Sequence, residues 1–362
     1  MALLDFTAAF GAGSTNLGNV QSFTIQRGRQ WIVDPFNAAR CSIIVRDIDA
    51  WTTAPKMGDD IELTNVGAFT VFSGTITDVK INYGLIPSMD EAEISCEGNL
   101  ALLGRRNLRS FVLAQGLTGD QFGLMCDQVN VPSAINNSGS IAVAQTVTEN
   151  ALTFANTLAL TEVGRISETN GALEWFGRND FNNGIGYSEH VFNTTGTNAM
   201  KYDGIEFRST AENYYTRVTV EPLGLAAQTN NSGSAPWYSL SVNTYDYSTT
   251  QADSLSEYYL NQLSSKTSAP TAITASWANQ PDTGTSQDRF QEALAWGNQI
   301  AMECQITFRG TVYNTVIEGS TITSTPENTR ITFFLSPQDL NNYLKWTSPA
   351  PYNTWDNNKW NF

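Results

Sequence analysis

The stretch Glu91-Ala92-Glu93-Ile94-Ser95-Cys96-Glu97 decides how this chain is read. Ala92, Ile94 and Cys96 alternate with Glu91, Glu93, Ser95 and Glu97, the period of a strand with one apolar and one wet face. Working outward, Phe69 to Lys80 is a second, largely period-2 run, and Ile61 to Leu63 follows a Gly58-Asp59-Asp60 turn. Ala39 to Val45 and the stretch opened by Phe23, Ile25 and Arg27 alternate in the same way. Turn residues at Asn65, Gly67, Ser73, Gly74, Gly84 and Gly98 separate the runs. Residues 1–108 therefore read as a small antiparallel β-barrel or sandwich.

Residues 109–200 change character, toward a small α+β module. Thr118 with Gln121, and Thr146 with Glu149, have the spacing of capping boxes. The second precedes Ala151, Phe154, Ala155, Leu158 and Ala159, an apolar stripe at helical spacing that reads as core. Gly164 fits a helix stop, and Asn170-Gly171 between two short apolar runs is a hairpin signal. Residues 201–345 return to strand-like sequence. Thr229 to Ala235 reads as a polar loop, and Ser248 with Gln251 caps one helix carrying Ala252, Leu255, Tyr259 and Leu263. Strands are expected at Ile300–Phe308, Val312–Glu318 and Thr329–Leu335.

Two distant segments echo each other. Gly58-Asp59-Asp60-Ile61 followed by Phe72-Ser73-Gly74-Thr75-Ile76-Thr77 parallels Gly297-Asn298-Gln299-Ile300 followed by Glu318-Gly319-Ser320-Thr321-Ile322-Thr323. The echo suggests two copies of one β-barrel flanking the α+β module, with Gly74 and Gly319 at matching positions. The fold class is mainly β with an α+β insert.

Composition removes several functions. The chain has 362 residues, 20 basic against 35 acidic, and a net charge of -15, which disfavours general nucleic-acid binding and anionic membrane surfaces. No apolar run reaches the length of a bilayer span, and the start from Met1 to Phe6 lacks the basic residues of a signal peptide. Cys41, Cys96, Cys126 and Cys304 form no CxxC pair; with one histidine, His190, they offer no zinc pattern and read as free, mostly buried thiols. No phosphate loop, HExxH or GxSxG is present. His190 reads as a surface or strand-facing side chain, Asp59-Asp60 as a turn, and Asp47 and Asp49 as one strand face. Asp180-Phe181-Asn182-Asn183-Gly184 matches a calcium loop only in part and reads as a plain turn. No catalytic, cofactor or metal residues are assigned. Residues 346–362 hold Trp346, Tyr352, Trp355, Trp360 and Phe362 among Asn, Pro and Thr, and read as an aromatic segment that docks on a neighbouring subunit.

The ordered series Phe23-Thr-Ile-Gln-Arg-Gly-Arg, Phe36-Asn-Ala-Ala-Arg-Cys-Ser-Ile-Ile-Val, Gly58-Asp-Asp-Ile, Phe72-Ser-Gly-Thr-Ile, Glu93-Ile-Ser-Cys-Glu-Gly-Asn-Leu-Ala-Leu-Leu, Leu160-Thr-Glu-Val-Gly-Arg-Ile, Phe176-Gly-Arg, Gly297-Asn-Gln-Ile and Val316-Ile-Glu-Gly resembles the minor tail or tail hub proteins of tailed bacteriophages, which are similar to baseplate hubs. The resemblance spans about residues 20 to 340. It implies two tail-tube-like barrels per chain in a homotrimeric ring, a non-enzymatic virion protein assembled in the host bacterial cytoplasm. Its implied partners are the tail tube or distal tail protein, the tape measure protein, and tip or fibre proteins. Such a ring adapts a sixfold tube to a threefold tip, and its acidic character suits a channel that DNA passes without adhering. The alternatives are a hexameric distal tail protein, a receptor- or carbohydrate-binding module at the tail tip and, ranked last, a wall-cleaving hydrolase.

Overall fold

The computed structural model describes residues 4–11, 15–46, 48–51, 53–65, 69–86, 89–136, 139–169, 171–178, 190–193, 199–208, 214–264, 269–281, 285–295 and 300–337. Asp47, Asn170, the Asp180–Gly184 stretch, Gly297 to Gln299 and the aromatic segment lie outside them. The chain divides into one unit of residues 1–209 with 267–338, and another of 210–266 with 339–362.

The alternating runs become β1 (Phe6–Phe10), β2 (Thr15–Asn16), β3 (Asn19–Gly28), β4 (Asn37–Arg46), β5 (Asp60–Asn65), β6 (Thr70–Asn82) and β7 (Glu91–Glu97). Ala92, Ile94 and Cys96 are buried on β7, as their alternation predicts. Next come α1 (Leu100–Gly104), β8 (Phe111–Leu113), β9 (Gly116–Leu117), α2 (Thr118–Gln128), β10 (Ser133–Ile135), β11 (Ile141–Ala142), β12 (Gln145–Val147), α3 (Ala151–Glu162), β13 (Arg165–Thr169) and β14 (Ala172–Phe176). The predicted hairpin is present: β13 and β14 pair antiparallel, and Gly171 takes a φ of 82° in the turn. Then β15 (His190–Phe192) and β16 (Gly204–Glu206) return to the main sheet.

The second unit holds β17 (Arg217–Pro222), β18 (Gln228–Asn231), β19 (Ser239–Thr244) and α4 (Thr249–Ser264). Its sheet runs β18-β17-β19, antiparallel then parallel. Its buried apolar residues include Ala252, Leu255, Tyr259, Leu260 and Leu263 on α4, and Val218, Val220 and Val242 on the strands. The predicted cap is present, with Ser248 Oγ accepting from the Gln251 N–H at 3.2 Å. The expected loop at Thr229 instead begins inside β18, because Thr219 and Thr229 pair across the two strands.

The chain re-enters the first unit with β20 (Ala272–Ser276), α5 (Thr285–Leu294), β21 (Glu303–Phe308), β22 (Thr311–Ser324) and β23 (Thr329–Pro337). A thirteen-stranded sheet runs β16-β20-β23-β22-β3-β4-β7-β6-β5-β1-β2, with β21 on β22 and β15 on β21. The segment 201–345 thus supplies both its ends to this sheet, while its middle packs as the separate unit.

The sheet contains one pattern twice. In chain order, β1, β3, β4, β5, β6 and β7 are arranged β3-β4-β7-β6-β5-β1. In chain order, β15, β16, β20, β21, β22 and β23 are arranged β16-β20-β23-β22-β21-β15. The order is the same, and each corresponding pair is antiparallel except the last, where β15 runs parallel to β21. The register agrees as well. An extra residue bulges from β6 against β7 at Thr77, and from β22 against β23 at Glu318. Two residues before each bulge, Thr75 faces Asp60 and Val316 faces Glu303. Thr77 therefore corresponds to Glu318, which places Asp78, not Gly74, opposite Gly319 in the comparison. The echo of glycines in the sequence is out of register, and the repeat rests on strand order and bulge position.

Candidate assembly interface

The two six-stranded sets meet where β3 pairs with β22, from Gly28 opposite Gly319 to Phe23 opposite Ser324. The backbones approach so closely that a Cβ at Gly319 would collide with the Arg27 and Arg29 carbonyls. Beside it the bulged Glu318 is fully buried. Its Oε2 accepts from Arg29 Nε at 2.8 Å, and its Oε1 accepts from Arg165 Nε at 3.0 Å and from Ser336 Oγ at 2.5 Å. One carboxylate on β22 thus joins the residue that follows β3 to β13 and β23. Burial opposes its charge, but Arg165 and Arg29 outweigh burial and hold its pKa down at about 2.

A second buried carboxylate, Glu168, ties the α+β module to the first strand set. It accepts from the backbone N–H of Ala39 at 3.0 Å and of Leu100 at 2.5 Å. A side chain at Gly98 would occupy its place. Burial pushes its pKa up to about 7 against the pull of those two bonds and of Arg27. A third, Glu162, accepts from the Thr118 hydroxyl and from the Gly139 N–H at 2.6 Å. Both oxygens of each of these carboxylates accept from protein groups.

The remaining candidate chemistry is accounted for in the same way. His190 lies on β15, 2% exposed and stacked on Phe333 at 5.5 Å, so it is strand-facing and not at the surface. The four thiols are free and buried, and burial pushes Cys96, Cys126 and Cys304 up to about 12. Among the described residues no group of three or more His, Cys, Asp or Glu is placed to hold a metal. Among them, too, no helix is long and apolar enough to cross a membrane. Trp346, Tyr352, Trp355, Trp360 and Phe362, the predicted docking residues, lie outside the described residues.

What the surface does offer is uncovered apolar side chains. The connection from β6 to β7 exposes Tyr83 (77%), Leu85 (100%), Ile86 and Met89. Phe207, just after β16, is 38% exposed against Phe308 and Tyr313. Clusters of this kind mark association surfaces. Alternation in the sequence pointed to the strands but not to these positions, which become edges only in the assembled sheet.

No protein-family model matches this sequence, and no curated protein matches it. Solved structures do. The tail protein from Neisseria meningitidis MC58 is similar over 93% of this chain and 98% of its own, with a TM-score of 0.66 at 11% identity. The 43 kDa tail protein of prophage MuSo2 from Shewanella oneidensis is similar over 92% of this chain and 98% of its own, with a TM-score of 0.62 at 11% identity. The prophage tail protein gp18 from Listeria monocytogenes EGD-e gives 0.54 at 10% identity, over 91% and 94% of the two chains. At such identities the likeness is one of architecture, and this chain has the fold of phage tail proteins.

Proposed function

We propose that this chain is a structural protein of a phage tail, a homotrimeric hub that ends the tail tube. In this reading each chain contributes two tube-like barrels, built on the two strand sets, and three chains present six like units to a sixfold tube. The opposite face keeps threefold symmetry for a tip or fibre. The tail tube or distal tail protein, the tape measure protein and tip proteins are its partners, and its place is the virion. It works by binding rather than catalysis. The net charge of -15 suits a channel wall past which DNA moves without sticking. The aromatic residues from Trp346 to Phe362 dock on a neighbour.

The single observation carrying this reading is the repeated strand order within one chain, combined with full-length similarity to tail proteins. Cryo-electron microscopy of assembled tails tests it. A threefold ring with two like units per chain is expected. Six copies in one ring would make this a distal tail protein instead, and absence from the particle would overturn the reading.

A further inference from the structure

The β3–β22 joint has a counterpart in which, among the described residues, each strand has one edge unpaired. In the repeat, β6 corresponds to β22 and β16 corresponds to β3. Among the described residues, β6 from Asp78 to Asn82 pairs only with β7, and β16 pairs only with β20. These two edges cannot meet through the joint that β3 and β22 already make. They are the edges left over when one joint of a repeating series is closed.

The register carries the correspondence to individual residues. Val79 faces Ile94, as Ser320 faces Phe333; Ile94 faces Ile43, as Phe333 faces Ile273. Ile43 then faces Phe23, and Ile273 faces Ile205. So Ile205 stands for Phe23 and Phe207 for Ile25, while Ile81 stands for Ile322 and Tyr83 for Ser324. Where the joint exists these positions are sealed: Phe23, Ile25, Ile322 and Ser324 are 5% exposed or less. Where it is missing their counterparts are open: Tyr83 is 77% exposed, Phe207 38%, and Ile81 and Ile205 are only partly buried against the core. Open strand edges with uncovered core-facing side chains are templates for pairing.

From this we infer that β16 of one copy pairs antiparallel with β6 of a second copy, in the register of β3 on β22. The occupant is another molecule of this chain, because the missing partner of each edge is the strand that the same chain carries at its other edge. Ile81 then faces Phe207, Tyr83 faces Ile205, Asn82 faces Glu206 and Lys80 faces Arg208. The like charges of the last pair are flanked on the same face by Glu93, already 3.8 Å from Lys80, and by Glu206. Head-to-tail contacts of this type form a ring where the rotation between copies closes, as the hub reading requires. The inference deepens the hub reading and rests on it for the number of copies, but not for the register.

Disulfide trapping in assembled tails, and in the concentrated full chain, tests it. Asn82→Cys with Glu206→Cys changes two exposed, outward-facing positions, and the native thiols are all buried. Facing residues of an antiparallel pair lie about 4.5–5.5 Å apart at Cα, within disulfide range. Asp78→Cys with Glu206→Cys is shifted by about 13 Å along the strand and serves as the control. On non-reducing gels the in-register pair should give a ladder ending in a closed species, at least tenfold more than the control. Equal or weaker cross-linking than the control would overturn the pairing, even if microscopy finds a threefold ring. A ladder closing at six copies would support the pairing and overturn the hub reading. As a second variant, Phe207→Lys should leave the circular dichroism unchanged and reduce the cross-linked yield tenfold; an unchanged yield also counts against the pairing.

Discussion

Glu318 is the residue on which the joint between the strand sets depends. It is a buried charge held between two guanidinium groups, and removing one member of such a cluster leaves the others without compensation. Glu318→Gln should cost about 3 kcal/mol in denaturant unfolding, whereas loss of the exposed pair in Lys80→Ala should cost less than about 1 kcal/mol. The two buried carboxylates also give opposite pH dependences. Glu318 titrates lower in the folded chain than unfolded, so its stabilisation is present above about 4.5 and is lost as the pH falls toward about 2. Glu168 titrates higher when folded, so the folded chain keeps a proton that the unfolded chain releases. Its effect is a decline in stability as the pH rises from about 4.5 to about 7. Unfolding curves measured across both windows should show Glu168→Gln flattening the upper slope while leaving the acid limb in place.

Elements were legible in the sequence where their signal is local. Alternation located β4 to β7 because each has one face in the core, and Ser248 caps α4 through a contact three residues away. Capping failed where tertiary contacts claimed the same side chains. Thr118 is the first residue of α2 rather than its cap, because its hydroxyl donates to Glu162. Thr146 lies on β12, paired to Val112, and the cap of α3 is Asn150, which accepts from the Leu152 N–H at 2.9 Å. At the other end, left-handed Val163, not Gly164, ends the helix. Asn150→Ala should therefore destabilise the protein by about 1 kcal/mol on thermal or chemical melting, with Thr146→Ala changing it by under about 0.5 kcal/mol.

At the scale of the whole molecule, the repeat was visible in outline and wrong in detail. The sequence echo aligned glycines, but the equivalence is set by bulges, which depend on pairing partners far along the chain. The ionic joint was harder still: Arg29 and Glu318 are 289 residues apart, and Arg165 and Glu318 are 153 apart. Arg27, the charge that alternation does place on the same strand face as Phe23 and Ile25, is not part of that joint and donates to the Val71 carbonyl. Deletion of residues 346–362 is expected to leave unfolding of the remaining chain unchanged and to weaken its co-sedimentation with assembled tails. Normal assembly of the truncated chain would rule out the docking role.

The bulge residue of β22 has one more consequence. Its counterpart in β6 is Thr77, whose hydroxyl donates to the Ser95 carbonyl and carries no charge. In a ring joined as inferred, seams within a chain and seams between chains would share a register, but only the seam within a chain would carry a buried acid beside it. Six blades would then fall into three pairs, each pair pinned by an ion cluster that the seams between chains lack.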